Sequence, residues 1–128
     1  MEIRRARPDD AAALGALKVR AWRAAYDGLL PAARLAALDP AVEADAWRER
    51  LEAQPTEERL WLAVDDDEVV GYARTGPCED VDATPDLGEV RGLYAAPDRI
   101  GTGVGRALLD HAARDLAGRG FATLVLWR

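Results

Sequence analysis

The sequence predicts a mixed α/β domain in which helices flank a sheet, and three observations predict it. Apolar residues recur at helical spacing in the first half of the chain, and the period turns strand-like over 60–74. A strand, a glycine-rich turn and a helix then succeed one another from Glu89 to Gly120, ahead of a last apolar run.

Residues 2–6 read as a short first strand. Pro8, Asp9 and Asp10 start a helix with acids in its first turn, and Leu14, Leu17, Ala21 and Ala25 keep helical spacing to about Tyr26. Asp27-Gly28 stops that helix, and Leu29-Leu30-Pro31 opens a second helical region that Pro40 splits. Residues 41–54 carry Val42, Ala46, Trp47 and Leu51 in helical pattern, with Pro55 as the stop. Two β-rich runs, 60–64 and 69–74, flank Asp65-Asp66-Asp67 and predict an antiparallel hairpin with an exposed turn. Residues 76–87 collect Gly, Pro and acids and read as a loop. Residues 89–95 form the next strand, ended by Pro97. The following helix sets Leu108, Leu109, Ala112, Ala113 and Leu116 on one side and ends at Gly118 and Gly120. The run 121–127 is almost wholly apolar, which predicts a strand buried on both faces.

With 128 residues, 49% apolar and 31% charged, the chain suits one domain that buries roughly two thirds of its unfolded surface. No segment approaches the roughly 18 apolar residues of a membrane span, and the first ten residues lack a signal peptide's apolar core, so no membrane partner and a cytoplasmic location are expected. One cysteine, Cys78, and one histidine, His111, give neither an internal disulfide nor a metal cluster. Acids next to Cys78 disfavour its thiolate, and His111 in mid-helix reads as structural. The net charge of −6 argues against nucleic acid as a partner and suits a cationic small substrate.

The chemistry is concentrated in EVRGLYAAPDRIGTGVGRALL. Gly101, Gly103 and Gly105 strip every second side chain from a loop that opens a helix, baring consecutive backbone N–H groups, and Arg99 and Arg106 flank it. This is a cradle for a pyrophosphate. A Walker loop needs Lys then Ser or Thr after the last glycine, where Arg106-Ala107 stand. A dinucleotide fingerprint needs a small third residue where Arg106 or Leu108 stands.

The remaining candidate is an acyl-coenzyme A loop, and here the sequence resembles the GNAT superfamily of N-acetyltransferases. That pattern is a strand, a Pro-containing turn, Arg or Gln, two residues, Gly-x-Gly, then a helix. Pro97, the three glycines and Ala107-Leu108-Leu109 match, whereas Asp98 stands where Arg or Gln is usual. Residues 21–38 are also similar to the first two helices of small bacterial members, and the elements arrive in the family's order.

The resemblance implies an acyl-CoA N-acyltransferase fold, a mostly antiparallel mixed sheet. It implies that an acetyl group moves directly from acetyl-CoA to a primary amine of a small molecule or peptide, without a metal. Leu93, Tyr94 and Ala95 would offer backbone groups to pantetheine, and Arg99, Ile100, Gly101, Thr102, Gly103, Val104, Gly105 and Arg106 would hold the pyrophosphate. Glu89 is the candidate base, and Trp22 and Tyr26 the candidate acceptor-site residues. Family members continue past the fifth strand with a helix that commonly carries a general-acid Tyr and two more strands. The expectation is thus a single domain over 1–128 short of that part, with no Tyr after the glycine loop. Two consequences are expected: a fifth-strand edge open to a second copy of the chain, and, as the alternative to an enzyme, a noncatalytic acyl-CoA-binding or interaction module.

Overall fold

The structure, a computed structural model, describes residues 1–53 and 57–127, the last by its backbone. Five strands form one sheet in the order β1 (Glu2–Arg5), β2 (Arg59–Asp65), β3 (Glu68–Pro77), β4 (Leu87–Ala95), β5 (Thr123–Trp127). The first three pairings are antiparallel and β4–β5 is parallel. Helices α1 (Ala11–Ala25), α2 (Ala32–Ala36) and α3 (Pro40–Ala53) follow β1, and α4 (Val104–Gly118) crosses over from β4 to β5. The predicted fold class and element order are those observed. Pro55 and Gln54 lie outside the described residues.

Period-two alternation divides each central strand between two cores. Leu60, Leu62 and Tyr72 pack with Leu14, Leu17, Trp47 and Leu51 of α1 and α3. Their neighbours Ala63, Val70 and Ala73 pack with Val104 and Leu108 of α4, and Val90 with Ala112 and Leu116. The sheet is therefore covered on both faces.

The hairpin turns through Asp66 and Asp67, at φ 49° and 64°, between the paired residues Asp65 and Glu68. Positive φ at both central positions matches the strands' right-handed twist, and aspartate is among the few residues that accept it. Pairing of β3 runs on to Pro77 instead of ending at Arg74. Gly76 packs closely there: a Cβ would lie 3.0 Å from a guanidinium nitrogen of Arg91 on the facing strand.

One expectation is overturned. The apolar run that ends the described chain is not buried on both faces: among the described residues β5 pairs with β4 alone, and Leu124 and Leu126 remain 41% and 38% exposed. An apolar run signals a doubly covered strand only where layers lie over both faces, and the α1–α3 layer packs on β2 and β3 instead. Phe121, just ahead of β5, is the residue that reaches the core.

Candidate functional site

The site is organised by one irregularity in β4. Ala73 pairs with Leu93 but Arg74 pairs with Arg91, so Gly92, at φ 64°, is the extra residue of a bulge. Positive φ is cheap only for glycine, and the inserted residue shifts the side-chain phase by one. Arg91 and Tyr94, three positions apart, consequently line the same cavity, while Leu93 and Ala95 pack toward α4. Pairing of β4 with β5 runs as far as Arg91, opposite Trp127, the last described residue. Among the described residues, Leu93–Ala95 have β3 on one edge and no strand on the other, so their main-chain groups suit an extended ligand.

Beyond β4 the chain makes a 3-10 turn over Pro97–Arg99 and reaches α4 through the glycine loop. Gly103, at φ 96°, is the cap of α4, and Gly101 has φ 84°. The first main-chain bond of the helix is donated by Ala107 to the Gly103 carbonyl at 3.0 Å, so the N–H groups of Val104, Gly105 and Arg106 have no helical acceptor. A Cβ at Gly105 would meet nothing within 4 Å. Its bareness keeps surface clear above the helix terminus, where the dipole favours an anion.

Arg106 is exposed and makes no ion pair among the described residues. Arg99, expected beside the anion, turns back to Asp65 at 2.6 Å and anchors the loop to the hairpin turn. Asp98, the departure from the family pattern, holds Arg20 of α1 at 3.1 Å.

On the opposite face a cavity of about 330 Å³ opens between α1, α3 and the bulge, with Trp22, Trp47, Tyr72 and Tyr94 as its aromatic wall. Trp22 meets Tyr26 at 5.1 Å with the rings tilted by 52°, but Tyr26 does not line the cavity. Trp47 meets Tyr72 edge-on at 5.3 Å, and Tyr72 meets Tyr94 at 5.1 Å. Desolvation pushes the Tyr72 phenol well above its usual range, so it stays a protonated donor.

Sequence reasoning missed the arginine cluster at this cavity. Glu58, just before β2, binds Arg74 of β3 at 3.0 Å, Arg50 of α3 at 3.1 Å and Arg91 of β4 at 3.3 Å. Burial would raise the Glu58 carboxyl, but Arg74 and Arg50 outweigh it and hold it below the usual carboxylate range. In a chain whose cations are nearly all arginine the residue type carries no signal. The available one was positional, in Glu89 and Arg91 alternating along an otherwise apolar strand.

Glu89 is 8% exposed, accepts a hydrogen bond from the Glu79 N–H at 3.2 Å and lies 3.3 Å from Arg91 Nε. It sits three residues before Gly92 and does not line the cavity. A hydrogen bond from the Asp80 main chain favours the Cys78 thiolate, but desolvation and the Glu89 and Asp80 carboxylates outweigh it and hold the thiol above its usual value. His111 packs edge-on against Trp61 at 4.3 Å, away from the site. No group of three or more potential metal ligands occurs among the described residues. No helix among them is long and apolar enough to cross a membrane.

A mixed sheet with a bulged, half-free β4 leading into a bare helix terminus defines the acyl-CoA N-acyltransferase class, and comparison with known proteins agrees. A sequence model of the acetyltransferase (GNAT) family matches residues 21–128, and the chain belongs to that family. Among solved structures, it is similar to a PaiA N-acetyltransferase from Thermoplasma acidophilum in complex with coenzyme A, with TM-score 0.79 and 16% identity over 99% of this chain and 78% of that one. A GNAT family acetyltransferase from Brucella melitensis in complex with acetyl-CoA gives 0.69 and 24% over 98% and 73%. An aminoglycoside acetyltransferase from an uncultured soil metagenomic sample, in complex with sisomicin, gives 0.66 and 16% over 99% and 76%. No curated protein matches closely.

Proposed function

We propose that this acetyltransferase moves an acetyl group from acetyl-CoA to a primary amine of a small molecule by direct transfer. The observation that carries the reading is the continuity of three features: the free edge of β4 at Leu93–Ala95, the bare N-terminus of α4, and a cavity that meets β4 at the bulge. The loop N–H groups of Gly103, Val104, Gly105 and Arg106, with the Arg106 guanidinium, take the pyrophosphate. Leu93, Tyr94 and Ala95 pair with pantetheine amides as an added strand would. Ile100, Gly101 and Thr102 shape the loop, and Thr102 donates to the Arg99 carbonyl at 2.5 Å.

Acetyl-CoA supplies the activated carbonyl and a thiolate leaving group. For this chain's residues, the tasks are to present a neutral amine to that carbonyl, to donate to its oxygen as charge develops, and to remove one amine proton. The aromatic wall from Trp22 to Tyr94 holds the amine, and a main-chain N–H beside the bulge is the oxyanion donor. The proton released from the amine passes through water to Glu89, and the thiolate takes a proton from solvent. The open edge of β5 further suits pairing with a second copy, which sedimentation at increasing concentration tests.

The test of the reading is release of free thiol from acetyl-CoA against a panel of primary amines. Amine-dependent release with formation of the acetylated amine is expected; a folded protein that binds acetyl-CoA but turns over no amine would instead be the noncatalytic binding module.

A further inference from the structure

On the reading above, the cavity at the β4 bulge receives the acceptor, yet its wall carries chemistry that the transfer does not use. Four cations line it, Lys18, Arg50, Arg74 and Arg91, against one carboxylate, Glu43, which Lys18 already holds at 2.9 Å. Glu58, which binds all three arginines, lies behind them and does not line this cavity. Glu58 takes the Nε of Arg50 and of Arg74 and one terminal nitrogen of Arg91, and Arg91 is further held by Glu79, Glu89 and the Pro77 carbonyl, whereas the two terminal nitrogens of Arg74 have no partner among the described residues.

A second observation points the same way. Among the described residues two buried indole nitrogens, Trp22 Nε1 and Trp47 Nε1, lack a hydrogen-bond acceptor. Both residues line this same cavity. Buried donors are ordinarily paired, and leaving one unpaired is costly, so two around one cavity mark a place made for acceptor atoms.

We infer that the acceptor amine bears a carboxylate and is, in chemical class, a free amino acid. The carboxylate seats against the terminal nitrogens of Arg74 with the two indole N–H groups beside it, and the amine points along the cavity to the bulge at Gly92. A planar guanidinium fork matches a carboxylate in shape and charge. At about 330 Å³ the cavity is at the small end of ligand pockets, the size range of such a molecule.

The inference is tested by binding, apart from catalysis. Alanine, leucine, phenylalanine and glutamate, each beside its C-terminal amide, are titrated into the full chain and followed by tryptophan fluorescence. The expected result is that at least one acid binds roughly tenfold more tightly than its amide. Trp22→Phe, which keeps a ring and removes the N–H, and Arg74→Gln should both reduce that preference while acetyl-CoA binding is retained. Equal affinity of acid and amide in every pair, or no binding of any acid up to millimolar concentration, overturns the inference. Thiol release with the same ligands reports separately on acetyl transfer, so selective binding without release would sink the transferase reading and leave the carboxylate subsite standing.

Discussion

Gly105 differs from the other two loop glycines in what it does. Gly101 and Gly103 have positive φ and are required by the backbone, whereas Gly105 sits inside the first turn of α4 with open space where a Cβ would stand. A substitution there should leave folding intact and fill the surface above the free N–H groups. Glu89 is testable with equal economy. Glu89→Gln retains an oxygen for the Glu79 N–H but removes the base, so kcat should fall about a hundredfold with acetyl-CoA affinity unchanged. An unchanged kcat would assign Glu89 a structural role.

How much of the site was legible divides along the same line. The glycine loop was visible because positive φ at Gly101 and Gly103 forces the residue type, whereas Leu93–Ala95 were expected from the family resemblance alone. The arginine cluster could not, since Arg50, Arg74 and Arg91 come from three separate elements and meet only because Gly92 shifts the phase of β4. Tyr26, paired in sequence with Trp22, is one helical turn too far along to reach the cavity.

At the scale of elements, two junctions hold the layers in place. Gly15 lets α1 lie directly on α3: a Cβ there would come within 2.6 Å of Ala44 N and 2.8 Å of the Pro40 carbonyl oxygen. Backbone atoms do not step aside as a flexible side chain does. Gly15→Ala should therefore cost about 2 kcal/mol despite its better helix propensity, seen as a lower midpoint in thermal unfolding, and a raised midpoint would refute the close packing. On the other face Asp115 of α4 is 4% exposed and accepts hydrogen bonds from Thr75 at 2.8 Å and Arg119 at 2.9 Å, with Arg59 also bound. Asp115→Ala strands these donors and should destabilise the fold by about 3 kcal/mol, measurable in urea. Neither junction was visible in sequence, because a glycine inside a helix and an acid on its polar face look unremarkable until the partner element is placed. Period and turn chemistry did reveal most elements, and they failed for the burial of β5, over which the α1–α3 layer does not pack.

Across the molecule the resolved carboxylate shifts run in one direction. A hydrogen bond from Arg4 chiefly lowers Asp10. Desolvation opposes the lowering of Asp115 and Glu58, but Thr75 and Arg119 outweigh it at the first, and Arg74 and Arg50 at the second. A carboxyl depressed in the folded state contributes stability above its unfolded value and loses it as pH falls through the folded one. Thermal stability should therefore hold from neutrality to about pH 5 and decline below it. A midpoint that rose on acidification would contradict this arrangement of charge.

The account depends on the free edge of β4 and the bare terminus of α4 acting as one coenzyme A site. Calorimetric titration of acetyl-CoA into the native chain and into Gly105→Leu, with thermal unfolding of both, tests this most directly. One micromolar-range site in the native protein, lost in a variant of unchanged stability, is the predicted result. No binding by folded native protein, or equal binding by the variant, would contradict it.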